Sequence, residues 1–121
     1  MAIQELKPGA GYVTVPFQGH ANLTASFVAA TQTNISFVND GYCVLFVQNN
    51  SGGDRLVKIQ SEPDNAGRID EALTNDGFDV PTMTTEMFGP FRPIWWNEAG
   101  KVFIELDAIA TTNLLVVKYQ F

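Results

Sequence analysis

Tyr42-Cys-Val-Leu-Phe-Val-Gln-Asn-Asn-Ser-Gly-Gly-Asp-Arg-Leu-Val-Lys-Ile-Gln-Ser61 is the stretch whose reading decides the fold. Its first seven residues are almost continuously apolar and rich in β-branched and aromatic side chains. A run of that length and composition reads as a central strand covered on both faces. Asn49 to Asp54 contains Ser51, Gly52 and Gly53 and reads as a reversal. Arg55 to Ser61 then alternates, with Val57 and Ile59 on one face. An antiparallel hairpin over Tyr42–Ser61 is the expectation.

The same period-2 pattern extends in both directions. Val13, Val15 and Phe17 share a face, with Tyr12 and Thr14 opposite. Leu23, Ala25, Phe27 and Ala29 form the inward face of a second expected strand. Thr33 to Val38 makes a third, ended by an Asn39-Asp40-Gly41 turn in which Gly supplies positive φ. Beyond the hairpin, Val80 to Phe91 reads as a strand interrupted by Pro81 and ended by Gly89-Pro90. Lys101 to Asp107 places Val102, Ile104 and Leu106 inward, and Leu114 to Phe121 forms a final strand. Glu62 to Asp79 is polar, with Pro63, Gly67 and Gly77, and reads as a long excursion.

About eight short strands at this spacing predict an all-β fold, an antiparallel β-sandwich of jelly-roll type. Val44, Phe46, Val57, Ile59, Val102, Ile104, Leu106 and Val117 are the expected core. Residues 1–10, with Pro8 and Gly9, are expected to form a mobile N-terminal arm ahead of a single domain over 11–121. Ile3 and Leu6 cannot make a core alone, so the arm is expected to order only against a partner.

Bulk composition narrows the function classes. The chain has 121 residues, an apolar fraction of 45% and a net charge of −6. That length suits one domain with its own core. The 7 basic residues are scattered singly, so no stripe exists to grip a nucleic-acid backbone or an anionic membrane. The N-terminus lacks the apolar core of a signal peptide, and no apolar run is long enough to span a bilayer as a helix. Synthesis and folding in a cytoplasm is the expectation. The single cysteine, Cys43, excludes an internal disulfide and a Cys-rich zinc site, and reads as a buried small apolar residue.

No catalytic constellation is legible, and no metal or cofactor is expected. His20 is the only histidine, which leaves a Ser-His-Asp site or a multi-histidine metal site without support. Asp70, Glu71, Asp76 and Asp79 could offer oxygens to calcium, but their spacing is not that of a calcium loop. Asn22, Asn34 and Asn49 head glycosylation triplets and read more simply as turn and strand-edge residues.

The remaining signal is an aromatic corner, Phe88-Gly-Pro-Phe-Arg-Pro-Ile-Trp-Trp96. Adjacent residues on a strand face opposite ways, so one of Trp95 and Trp96 is expected in the core and the other outside. An outward tryptophan near Phe88, Phe91 and Pro93 would widen an apolar patch that needs cover. Ile3, Leu6, Phe88, Phe91, Trp95 and Trp96 are therefore the candidate contact residues.

Two blocks carry a family resemblance. Phe-Val-Asn-Asp-Gly-Tyr-Cys-Val-Leu-Phe-Val-Gln-Asn, Phe37 to Asn49, resembles the Asn-Asp-Gly turn and apolar strand ending in Asn of small tailed-phage virion proteins. Val80 to Leu106, with its Val-Pro, Gly-Pro-Phe corner, later Asn and Gly-initiated strand, resembles a second block of the same family. The apolar strand Leu114 to Phe121 is similar in place and character. The resemblance implies a capsid decoration (cement) protein, located on the outer surface of the virion head. Its implied partners are the major capsid protein and two further copies of itself in a homotrimer. The family contributes no catalytic residues. Two other readings remain open: a carbohydrate-binding module stacking sugars on Trp95 or Trp96, and a tail or neck subunit.

Overall fold

The computed structural model describes residues 2–16, 20, 23–60, 77–91, 93, 97 and 99–120. Its strands are β1 (Gln4–Pro8), β2 (Gly11–Pro16), β3 (Val28–Ala29), β4 (Asn34–Val38), β5 (Cys43–Asn49), β6 (Arg55–Ile59), β7 (Phe78–Val80), β8 (Thr84–Phe88), β9 (Lys101–Leu106) and β10 (Thr112–Gln120). A 3-10 turn, Thr24–Ser26, precedes β3. The fold is all-β, as the alternating pattern predicts. The ten strands form one mixed sheet, ordered β7-β6-β9-β4-β1-β2-β10-β5-β8 with β3 beside β10, and this sheet nearly closes into a barrel.

The expected core is where the pattern puts it. Val44, Val57, Ile59, Val102, Ile104, Leu106 and Val117 are buried, and Phe46 is half-buried. The main core lies inside the barrel, between β4, β6 and β9 on one wall and the inward residues of β5 and β10 on the other. A second, smaller cluster lies outside. Val15, Val44, Leu115 and Val117 form it, with Leu23 and Phe27 packed against them. Strand β10 thus buries both faces, Leu114 and Val116 inward and Leu115 and Val117 outward. That is why its sequence is continuously apolar.

Four expectations change. First, residues 42–61 are not a hairpin. β5 pairs with β10 and β8, whereas β6 pairs with β9 and β7. The loop after β5 reverses the chain but carries it to the opposite wall. Buried Asn49 holds that crossing: its amide donates to the Gly53 and Val80 carbonyls at 2.8 Å each. Its Oδ1 accepts from the Ser51 backbone N–H at 2.9 Å and hydroxyl at 2.6 Å. Buried Arg55 then reaches across, donating through Nε to Thr112 Oγ1 and through its second terminal nitrogen to the Ala110 carbonyl, both at 2.9 Å.

Second, residues 1–10 are not a free arm. β1 lies between β4 and β2 and makes a parallel ladder with each. Leu6 is 1% exposed in the main core. The Gln4 amide donates to the Ala29 carbonyl and its Oε1 accepts from the Thr31 N–H. Backbone pairing on both sides, with one well-buried leucine, offsets the ordering entropy that Pro8 and Gly9 suggested would prevail.

Third, the sheet is mixed, because β1 pairs in parallel with β2 and β4, and β2 with β10. Fourth, the strand expected through Leu23–Ala29 is the 3-10 turn followed by the two-residue β3. The excursion at 62–79 falls largely outside the described residues; of its members, Phe78 and Asp79 belong to β7.

Candidate partner-binding site at the rim of the barrel

The chain passes from one wall of the barrel to the other between β1 and β2. Lys7 and Ala10 exchange backbone hydrogen bonds of 3.2 and 2.7 Å around this corner. Gly11 stands at φ +82°, where a Cβ would come within 2.6 Å of Val28. Only glycine permits that approach. The corner leaves the two walls unequal in height. β2 pairs with β1 only through Gly11 and Tyr12, but with β10 from Tyr12 through Pro16. The wall of β2, β10 and β5 therefore overhangs the end of β1.

A groove of about 300 Å³ opens under this overhang, lined by Lys7, Pro8, Tyr12, Thr14, Val38 and Lys118 among others. Its floor is a polar constellation. The Tyr12 hydroxyl donates to the Val38 carbonyl at 3.4 Å and lies 3.3 Å from the Cys43 sulfur. The thiol also approaches the Val38 carbonyl at 3.6 Å and Asp40 Oδ1 at 3.9 Å. Burial pushes the Cys43 thiol up, so this sulfur is held as a neutral thiol and not as a nucleophile. Burial, then the contact with Cys43, pushes the Tyr12 phenol up as well.

Charges ring the groove in pairs. Lys118 Nζ lies 2.9 Å from Asp40 Oδ2, and Lys101 Nζ lies 2.6 Å from Glu5 Oε2. Partial burial works against the Asp40 carboxylate, but the Lys118 ammonium and the Tyr42 N–H outweigh it and hold it below the ordinary value. The hydrogen bond from Lys101 lowers Glu5, and Asp40 in turn raises Lys118.

Large apolar side chains stand exposed on the same rim. Val38 is 54% exposed, Tyr42 52% and Tyr119 48%. Tyr42 and Tyr119 are joined through backbone, the Tyr119 N–H donating to the Tyr42 carbonyl at 3.0 Å, and the Tyr42 N–H donates to the Asp40 carboxylate. Tyrosines around satisfied ion pairs, fixed on strand ends, match the composition of protein-contact surfaces.

The expected contact residues fare differently. Ile3 is 47% exposed and remains available. Leu6, Phe88 and Phe91 are core residues, 1%, 7% and 1% exposed, and cannot touch a partner in this fold. The two phenylalanines of the corner turn inward: Phe91 packs on Phe37 with ring centroids 5.9 Å apart, and Phe88 meets Phe78 edge-on at 6.3 Å. Trp95 and Trp96 lie outside the described residues. His20 is exposed. Among the described residues no three His, Cys, Asp or Glu side chains gather as a metal site would require.

The two sequence blocks meet in space. Asn39, from the Asn-Asp-Gly turn, donates to the Phe91 carbonyl at 2.9 Å and to Asn97 Oδ1 at 2.7 Å. The Asn97 amide answers at the Asn39 carbonyl, 2.7 Å away. Asn49, which ends the first block, bonds the carbonyl of Val80, which begins the second. Comparison with known protein families, curated proteins and solved structures finds no match.

Proposed function

We propose that the chain is a structural subunit of a tailed-phage virion, a decoration protein that binds the outer surface of the major capsid lattice and stabilises the head. The observation that carries this reading is the interlock of the two resembling blocks. Asn39 with Asn97, and Asn49 with Val80, make the ordered residues one reciprocal unit of the fold. The barrel rim supplies the contact mechanism. Val38, Tyr42 and Tyr119 offer apolar area at the ends of β4 and β10 and just ahead of β5, while exposed Ile3 stands at the opposite end of β1. A homotrimer would present three such rims, and many weak contacts repeated over a lattice sum to firm attachment. The role is binding, with no reaction assigned.

Immunogold labelling of the particles whose genome encodes the chain tests the reading. Gold over the head surface is the expected result. Label confined to tail or neck, particles that carry no label, or a source without such particles would overturn it. A change in intrinsic fluorescence with glycans, in a protein that labels no particle, would favour the carbohydrate module instead.

A further inference from the structure

We propose that the open upper edge of β2, with the groove beside it, binds an extended polypeptide segment bearing a carboxylate, which adds to the sheet as a strand. The proposal goes beyond the virion reading and needs none of it. Its basis is a vacancy in the strand order. Below the rim, β2 has β10 on one side and β1 on the other. Above Tyr12 the β1 side has no ladder partner among the described residues, although β10 continues to Pro16 on the far side. Over Val13–Val15 at least one residue must turn its N–H and C=O toward the open side, because these groups alternate along a strand. An array of that kind is satisfied most directly by another backbone.

The groove borders this edge, lined by Tyr12 and Thr14 of β2 together with Pro8, where β1 ends. Thr14 is exposed beside it, and Pro8, Tyr12 and Val38 give it an apolar lining. The charge selects the occupant. Glu5 is engaged by Lys101 and Asp40 by Lys118, whereas Lys7 is exposed and makes no ion pair among the described residues. A carboxylate in the incoming segment meets Lys7 at the groove mouth. Pro16, with no N–H to give, limits the segment to roughly three to five residues.

The test uses the full chain, labelled with nitrogen-15 and titrated to millimolar peptide. The probes are three capped pentapeptides: Ser-Val-Glu-Val-Ser, the same peptide with Lys for Glu, and the Glu peptide N-methylated at both valines. The Glu peptide should shift the amide signals of Val13, Thr14 and Val15 and slow their hydrogen exchange. The Lys and N-methylated peptides should bind at least about five-fold more weakly. The exposed Lys7→Glu variant, which leaves every described packing contact in place, should lose about five-fold for the Glu peptide and gain for the Lys peptide. Unshifted Val13–Val15 signals, or equal binding of all three peptides, would overturn the proposal.

Discussion

Asn39 is only 4% exposed, yet its side chain makes three hydrogen bonds, two that join the β4–β5 turn to the chain after β8 and one, from the Gly41 N–H, that closes the turn itself. Replacing it with alanine removes the amide that bonds the Phe91 carbonyl and the Gly41 N–H. Asn39→Ala should therefore cost about 2–3 kcal/mol, read as a lower midpoint in urea with an unchanged slope. A loss under half a kcal/mol would show that water replaces the bonds. Cys43 and Tyr12 set the alkaline limit. Both are acids whose folded-state pKa is raised above the ordinary values of 9.0 and 10.0. The unfolded chain ionises first, so their contribution is full below those values and declines as pH rises past them. Stability should fall between about pH 8.5 and 11, and less steeply in a Tyr12→Phe, Cys43→Ala double variant. In the native protein at pH near neutrality the Cys43 thiol should react slowly with a disulfide reagent and rapidly in denaturant. Asp40 has the opposite sign. Its stabilising pair with Lys118 is present above the ordinary carboxylate value and is lost as pH falls through the lower folded-state value.

Among the elements, β1 is the one whose role departs furthest from its sequence. Gln-Glu-Leu-Lys-Pro has one apolar residue and no alternation, so nothing local announces a strand. Its state comes from β4 and β2 on either side, which are non-local partners. Deleting residues 1–8 should abolish the cooperative unfolding transition and the dispersed amide spectrum, and Leu6→Ala alone should cost about 2–5 kcal/mol. A truncated chain with native dispersion would refute the placement. By contrast, β9 was legible residue by residue, because Val102, Ile104 and Leu106 alternate against Lys101, Phe103 and Glu105. The crossing between β5 and β6 was legible as a turn but not as a change of wall. Asn, Ser and Gly encode a reversal, and a reversal has the same composition whichever wall the chain joins next. The rim was hidden for a related reason. Val38, Tyr42 and Tyr119 have the composition of strand-core residues, and period-2 reading assigns them a face. It does not reveal that these positions lie beyond the core, at the end of the barrel. The aromatic corner misled in the other direction, since Phe88 and Phe91 were expected outside and are held inside by Phe78 and Phe37.

Taken whole, the molecule is a barrel with one high wall, and its proposed assembly turns on that asymmetry. If the rim is the contact face, a Tyr42→Asp, Tyr119→Asp double variant should remain folded by circular dichroism while its sedimentation shifts from trimer to monomer. A wild type that sediments as a monomer at high concentration would remove the trimer from the proposal. The order of pairing has a further consequence for biosynthesis. β2 and β5 both lean on β10, and the β2–β10 ladder matches Tyr12 to Val116 and Pro16 to Gln120. The wall of β2, β10 and β5 cannot be finished until residue 120 has left the ribosome and the exit tunnel. Until then, the valines of β2 and β5 that later flank β10 have no native cover on that side. High contact order of this kind slows folding and prolongs exposure of bare strand edges. The nascent chain should accordingly be a client of ribosome-associated chaperones, and a stalled chain ending before residue 112 should be protease-sensitive throughout its length.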